Sequence, residues 1–180
     1  KEGLSTFGAD CAKAYYQTPQ LEKVAARPPP EYIELLAREG RRTDVLWRLH
    51  KTLPGQRIGG RGWVEYATTR LCAERFERSE ALPQFFRRPE DGIVIEVHMD
   101  DFHGTGETLA AEGCLAQLRN IFDLKATEVF CEGRYAHLRR DRLRRGGTTF
   151  LRGNPVHVDK LVELFGMEKA NPARTPSLPD

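Results

Sequence analysis

The stretch I-V-I-E-V-H-M-D-D-F, residues 93–102, decides the fold. Its apolar half ends at two adjacent carboxylates, Asp100 and Asp101. Two charges at the end of a buried strand are costly unless they are solvated, hydrogen-bonded or bound to a cation. Magnesium is the natural cation, because it prefers oxygen ligands and is held by one or two carboxylates together with substrate phosphates.

The flanks of this stretch indicate where the strand begins and ends. Asp91-Gly92, a pair typical of type I′ turns, precedes it, and Gly104 and Gly106 follow it. We expect a short, mostly buried strand that is entered from a tight turn and left through a loop.

The composition is that of an ordinary globular domain. The 180 residues are 39% hydrophobic and 30% charged, with a net charge of +2, which permits a nucleic-acid partner without requiring one. The longest apolar run is too short to span a membrane, so no membrane association is expected. The four cysteines lack zinc-site spacing and favour reduced thiols in an intracellular protein. The sequence has no initiator methionine or signal peptide, and we expect a piece of a longer protein.

Periodicity predicts the remaining elements. A strand followed by the start of a helix or loop is expected over residues 5–17, a polyproline II connector at Pro28–Pro30, and a strand over Val45–His50. Helices are expected over residues 61–76, with the apolar stripe Trp63, Ala67 and Leu71, and over 107–124, with a buried face that includes Leu109.

The last third of the chain predicts one hairpin and one helix. The hairpin covers residues 134–151 around Gly146-Gly147, with Leu143 and Phe150 among its apolar contacts. The helix covers residues 158–165 and is stopped by Gly166. Together these elements predict an α+β fold, in which an antiparallel sheet carries helices on one face.

Another aspartate, Asp10, precedes Asp100 by ninety positions in the sequence. The run F-G-A-D-C-A-K-A-Y-Y-Q, residues 7–17, carries Asp10 and, five positions later, Tyr15. An aspartate on a strand, an aromatic residue soon after it, and then an X-M-D-D hairpin resemble the palm of reverse transcriptases, most closely those of copia-type LTR retrotransposons. The resemblance implies a reverse-transcriptase-like palm with a partial fingers insertion.

Two further motifs carry the resemblance to the end of the chain. Residues 53–63, L-P-G-Q-R-I-G-G-R-G-W, are similar to the family signature L-Y-G-L-K-Q-A-P-R-A-W, with Ile58 in place of the glutamine and Gly60 in place of the proline. Residues 158–176 are similar to the ending F-G-M…P…T-P. The implied organisation is a first palm strand at 1–18, part of the fingers at 19–57, the palm with its Asp-Asp hairpin at 58–133, a primer-grip-like hairpin and thumb-side helix at 134–170, and a linker at 171–180.

The resemblance implies an RNA-directed DNA polymerase that adds deoxynucleotides to the 3′-hydroxyl of a primer. Its cofactor would be Mg²⁺, with Mn²⁺ as a substitute, at catalytic and metal-binding acids. Nucleotide contacts would come from a second group, and the nucleic-acid backbone would be held by arginines. The catalytic and metal-binding acids would be Asp10, Asp100 and Asp101, and the nucleotide contacts would be Tyr15, Ile58 and Met99. The arginines that hold the nucleic acid would be Arg61, Arg139, Arg140, Arg142, Arg144 and Arg145.

The implied partners are an RNA or DNA template–primer, deoxynucleoside triphosphates, and the RNase H and integrase domains of a parent polyprotein. The implied location is the cytoplasm or nucleus, in a virus-like particle. Two alternatives stay open. Ile58, Gly60 and His98 depart from the family pattern and favour an inactive or repurposed nucleic-acid-binding remnant. The pattern H-x-D-D-x-H, from His98 to His103, is also typical of a metal-dependent hydrolase.

Overall fold

The computed structural model describes residues 4–126, 129–138, 140–153 and 155–170. Its strands are β1 (Leu4–Cys11), β2 (Ala25–Ala26), β3 (Trp47–Arg48), β4 (Glu77–Arg78), β5 (Phe85–Arg88), β6 (Ile93–His98), β7 (Asp101–Glu107), β8 (Leu124–Ala126), β9 (Gly133–His137), β10 (Arg140–Arg145) and β11 (Thr148–Arg152). Its helices are α1 (Ala14–Gln17), α2 (Pro30–Arg38), α3 (Gly59–Ala73), α4 (Thr108–Ile121) and α5 (Pro155–Leu164). The chain divides into two compact units, Lys1–Cys131 and Glu132–Asp180.

The first unit is built on a six-stranded sheet. The strand order is β4-β5-β6-β7-β1-β8, and every pair in it is antiparallel. The protein is therefore a mixed α+β protein with an antiparallel sheet, as the sequence predicts. Strands β2 and β3 form a separate two-stranded sheet.

One face of the six-stranded sheet is covered by α3 and α4. Because strand side chains alternate between faces, every second residue of β1 and β6 enters the same core. The predicted stripe of α3 lies in this core and is confirmed. The largest fully buried side chains of this core are Phe7, Trp63, Leu71, Ile93, Ile95, Phe102 and Leu118.

The predicted buried face of α4 is wrong at Leu109, whose side chain is 83% exposed. The face that enters the core carries Ala111, Cys114, Leu115 and Leu118. Leu109 precedes Ala111 by two residues, or about 200° around the helix, so it points away from the sheet. None of the described helices is long and apolar enough to cross a membrane.

The loop expected after the acids is wrong, because Gly104 and Gly106 lie within β7. A Cβ atom at Gly104 would overlap the Phe7 ring, and one at Gly106 would overlap Ile93 Cδ1. These glycines therefore allow large core side chains to cross β7 at close range, which is a strand use of glycine.

The type I′ turn expected at Asp91-Gly92 is also wrong. Residues 89–92 form a four-residue loop, and only Gly92, with φ 72°, has positive φ there, whereas type I′ needs positive φ at both central residues. The Asp91 carboxylate instead pairs with buried Arg88 at 2.6 Å and accepts a hydrogen bond from Ile93 N. The hydrogen bond from Arg88 lowers the pKa of Asp91.

Two expectations for the segment between α1 and α3 are corrected. Pro30 is the first residue of α2, where its fixed φ suits a helix start, so the prolines introduce a helix that was not predicted. The strand expected over Val45–His50 is limited to Trp47 and Arg48, paired with β2. Leu46 and Trp47 are exposed there, so the apolar residues of the alternating pattern are not buried in a core.

The second unit contains a three-stranded antiparallel sheet, in the order β11-β10-β9, and α5. The predicted turn at Gly146-Gly147 joins β10 to β11 and is confirmed. Leu143 and Phe150, expected as buried contacts, are cross-strand partners but are 43% and 53% exposed. Gly166, with φ 62°, follows the end of α5 and confirms the predicted stop.

Candidate active site

Asp10 and the adjacent acids Asp100 and Asp101, about ninety positions later in the sequence, lie at one end of the first-unit sheet. In the β1–β7 register Asp10 is the partner of Asp101, and in the β6–β7 register Asp101 is the partner of His98. Directly opposite residues of antiparallel strands have Cβ atoms about 4.5–5.5 Å apart and lie on the same face. His98, Asp101, Asp10 and, on β8, Lys125, the other partner of Asp10, therefore form one row across four strands.

This row lies on the face opposite the helices. The neighbouring pair, Ala9 and Phe102, points into the core, so Asp10 and Asp101 point the other way. Asp10 and Asp100 are exposed and Asp101 is partly buried. Carboxylates on an open sheet face can be solvated or can bind a ligand without being desolvated by the core.

Asp100 lies in the turn that joins β6 to β7. Met99 has a φ of 54°, a left-handed conformation that is uncommon for residues other than glycine. The turn is held from two sides: Cys11 N donates to Asp100 O at 2.7 Å, and the buried indole Nε1 of Trp63 donates to Met99 O at 2.6 Å. The acid turn is thus fixed by β1 and by α3.

The pKa of the Cys11 thiol depends on its burial and on the acids at this end of the sheet. Burial, the largest cause, and the charges of Asp10, Asp100 and Asp123 raise its pKa, a hydrogen bond from Gln17 lowers it, and the net result is a pKa of about 12. Asp10 and Asp100 therefore act on the same thiol, together with a fourth acid that the sequence interpretation missed.

Asp123 reaches this end of the sheet through its backbone. Ala12 N donates to Asp123 O at 2.8 Å, which extends the β1–β8 pairing by one position. Gln17 fixes the same connection, because its Nε2 donates to Ala12 O at 2.7 Å and its Oε1 accepts from Asp123 N at 3.0 Å. An isolated aspartate after a helix carries no sequence signal, so only the register could have identified Asp123.

Tyr15, a predicted nucleotide contact, packs against the start of α3. A Cβ atom at Gly59 would lie 3.0 Å from the ring of Tyr15, so glycine is needed for this approach. Ile58, the second predicted contact, is the N-cap of α3 and provides no side-chain cap to the helix. Met99, the third, is 44% exposed in the acid turn.

Arg61, a predicted nucleic-acid contact, forms an exposed ion pair with Glu65 one turn later on α3. Its Nε lies 2.6 Å from Glu65 Oε1, and this hydrogen bond raises the pKa of Arg61. Both side chains are exposed, so the pair contributes little to stability and leaves Arg61 available to phosphate.

The arginines predicted on the β9–β11 hairpin separate onto two faces. By strand alternation Arg140, Arg142 and Arg144 share one face of β10, and Arg145 lies on the other. Arg139 lies outside the described residues. The Nε atoms of Arg142 and Arg144 are buried and have no hydrogen-bond partner among the described residues, although a guanidinium N–H normally finds one.

The opposite face of this sheet carries the compensating acid. Register places Arg134, Arg145 and Arg152 on the face of Asp141, and Arg134 forms an ion pair with Asp141. The face of Arg140, Arg142 and Arg144 carries Tyr135 and His137 from β9 and no acid among its described residues. The Arg140 face therefore has no compensating acid among its described residues, but Arg144 on it is buried and Arg142 partly buried, so an anion would reach Arg140 most easily.

Protein side chains alone do not form a complete metal site in the described part of the chain. No group of three His, Cys, Asp or Glu side chains is arranged there to hold an ion. The register does put His98, Asp101 and His103 on one face, with His103 opposite Glu96. Oxygen-rich strand ends with two or three acids suit magnesium when substrate oxygens complete its shell.

Comparisons with known proteins add no family assignment. No protein-family model matches the sequence, and no curated protein matches it significantly. Any function must therefore be argued from the residues and their geometry.

Proposed function

We propose that the chain is the palm and part of the fingers of a copia-type reverse transcriptase, an RNA-directed DNA polymerase. The observation that carries the proposal is the pairing of Asp10 with Asp101 beside the turn that holds Asp100. The two places that carry the motif similarity are about ninety positions apart in the sequence and are neighbours in the sheet, which a shared catalytic site requires.

The acids suit nucleotidyl transfer by their type and position. Asp10, Asp100 and Asp101 offer only oxygen atoms and would hold Mg²⁺, with Mn²⁺ as a substitute. Bound magnesium would supply Lewis-acid activation of a primer 3′-hydroxyl and neutralise the triphosphate. The part played by the chain is to fix the acids: β1 sets Asp10, and the Cys11 amide and the Trp63 indole set the turn with Asp100.

Other residues support a template–primer and a deoxynucleoside triphosphate as partners. Tyr15 lies beside the first turn of α3, where a ring could exclude a 2′-hydroxyl by contact. Arg140, Arg142 and Arg144 would bind phosphates without reading sequence. The RNase H and integrase domains of a parent polyprotein, and a location in a cytoplasmic or nuclear virus-like particle, belong to the same proposal.

A primer-extension assay on the complete parent protein tests this function. We expect template-dependent, magnesium-dependent extension that is lost in Asp10→Ala and in Asp100→Ala, while Asp159→Ala, an exposed acid on α5, leaves it unchanged. Activity retained in both acid variants would exclude the polymerase site.

A second candidate, an inactive nucleic-acid-binding remnant, is favoured by the apolar Ile58 at the start of α3. Where the family has a glutamine, isoleucine cannot form a hydrogen bond. In an active parent, Ile58→Gln should raise the extension rate about five-fold, the scale of one neutral hydrogen bond. A parent that binds template, extends no primer and gains nothing from Ile58→Gln would be such a remnant.

A further inference from the structure

A partly open pocket lies between α3 and the β4–β5–β6 edge of the sheet. Its volume is about 240 Å³. Apolar side chains line it on several sides, namely Val64, Ala67, Pro83, Phe86, Val97 and Met99. Val97 and Phe86 point to the helix-covered face, so the pocket and the Asp10 carboxylate are on opposite faces of the sheet.

Two polar groups of the pocket lack a full set of partners. Thr68, on α3, has its Oγ1 buried with no hydrogen-bond partner. An unpaired buried hydroxyl is uncommon and needs a water or a ligand to explain it. The pocket is wide enough for either, because an apolar cavity of about 150 Å³ already holds benzene.

The second group is the guanidinium of Arg78 on β4. It lies 5.8 Å from the centre of the Phe86 ring, and its Nε donates to Pro83 O at 2.6 Å, so two walls of the pocket hold it in place. Among the described residues Arg78 forms no ion pair. A fixed, uncompensated guanidinium is a good partner for a carboxylate, because its planar fork matches the two oxygen atoms.

We propose that this pocket binds a small aromatic carboxylic acid of one or two fused rings. The rings occupy the apolar part, beside Thr68, and the carboxylate meets Arg78. Met99 lines the pocket and also belongs to the turn that contains Asp100. A ligand in the pocket would therefore contact this turn through the Met99 side chain. The binding site does not depend on the proposed polymerase function.

The two methionines of the chain allow binding to be measured by NMR. Met99 lines the pocket and Met167 follows α5 in the other unit. In protein labelled with ¹³C at the methionine ε-methyl groups, 2-naphthoate should shift the Met99 signal saturably and leave the Met167 signal in place. The signals are assigned with Met99→Leu.

Variants separate the parts of the site. Arg78→Gln should weaken naphthoate binding about ten-fold and leave the neutral analogue 2-naphthalenemethanol unaffected. Thr68→Val should leave naphthoate binding unchanged and should not destabilise the free protein, because the hydroxyl that it removes is covered and unpaired. Ala67→Leu should abolish binding by filling the pocket. The matched control is Arg87→Gln, on β5 but on the opposite face, and it should change nothing.

Two results would overturn the proposal. One is the absence of a saturable Met99 shift in the wild-type chain, which would mean that the pocket holds solvent only. The other is equal naphthoate binding by Arg78→Gln and Arg87→Gln. The Arg78 and Arg87 variants alter exposed side chains, so this comparison holds even if Ala67→Leu does not fold.

Discussion

Met99 carries an unfavourable backbone conformation at the centre of the candidate site. A left-handed conformation costs a non-glycine residue about 1 kcal/mol or more. The conformation persists because Trp63 Nε1 binds the Met99 carbonyl and Cys11 N binds the next one. Strain of this kind is held by surrounding structure, and it places Asp100 beside the end of β1.

The first prediction concerns the three acids. Like charges at one end of the sheet repel, and a divalent ion relieves the repulsion and stabilises the native state by mass action. Magnesium or manganese should therefore raise the melting temperature of the wild-type chain. Asp10→Asn and Asp100→Asn should each remove most of this effect, and Asp101→Asn should remove less. Differential scanning calorimetry with and without metal measures it.

Asp159→Asn, on the exposed surface of α5, is the control and should keep the full metal effect. The hydrolase alternative makes a different prediction for the same measurement. Zinc would then stabilise more than magnesium, His98→Ala and His103→Ala would remove the effect, and Asp10→Asn would keep it. That pattern would replace the polymerase site with a histidine-centred one.

At the scale of elements, α3 supports the β6–β7 hairpin through one side chain. Trp63 packs with Phe102 and Phe122, at ring-centre distances of 6.5 and 5.7 Å, while its N–H holds the acid turn. The same residue thus stabilises the core and fixes the position of Asp100.

Trp63→Phe should separate these two roles. It keeps an aromatic ring in the cluster but removes the N–H donor, so we expect a loss of about 1–3 kcal/mol in the free energy of unfolding and a smaller metal-induced rise in melting temperature. Tyr66→Phe, in the same aromatic cluster, should keep the full rise. An unchanged metal effect in Trp63→Phe would show that the indole only fills space.

The arginines on the two faces of the β9–β11 sheet allow nucleic-acid binding to be tested with a matched control. Replacing Arg140, Arg142 and Arg144 by glutamine should weaken binding to a single-stranded oligonucleotide and reduce the slope of log K against log salt by about 1.4, the value for two lost phosphate contacts, because Arg144 is buried. The matched triple variant replaces Arg134, Arg145 and Arg152 on the face that carries Asp141. Fluorescence anisotropy titrations at several salt concentrations measure both.

The second triple variant should lose clearly less affinity and less of the salt slope, because an acid already compensates that face. Equal losses in the two variants would mean that the charge of the segment, and not the face of the strand, determines binding.

At the scale of the whole molecule, apolar burial is concentrated in the first unit. The buried apolar side chains of the described residues lie between Phe7 and Phe122. In the second unit the described helix, α5, buries no side chain, and Leu143, Phe150 and Leu151 are exposed. The two units should therefore differ in local stability.

Amide hydrogen exchange should show this difference. Because local opening is easier where few apolar contacts are buried, the amides of β9, β10 and β11 should exchange faster than those of β1, β6 and β7. Exchange measured by NMR on the intact chain tests it residue by residue. Equal protection in the two sheets would indicate that the second unit is stabilised by something other than apolar burial.

The sequence by itself determined the local elements whose patterns are strong. The apolar run before the acids predicts β6, the stripe of Trp63, Ala67 and Leu71 predicts α3, and Gly166 predicts the end of the last helix. Each of these signals depends on neighbours within a few turns or positions, so it can be evaluated without knowing the rest of the chain. The mixed α+β class follows from such elements.

Only the tertiary structure decided which residues meet. Asp10 is opposite Asp101, and Asp123 joins them, because β1 lies between β7 and β8 in a register that no local pattern specifies. The same applies to Gly104, where a residue without a side chain is needed because the Phe7 ring lies against it. Strand register and close packing depend on contacts between residues about a hundred positions apart, and a sequence pattern evaluated locally does not contain them.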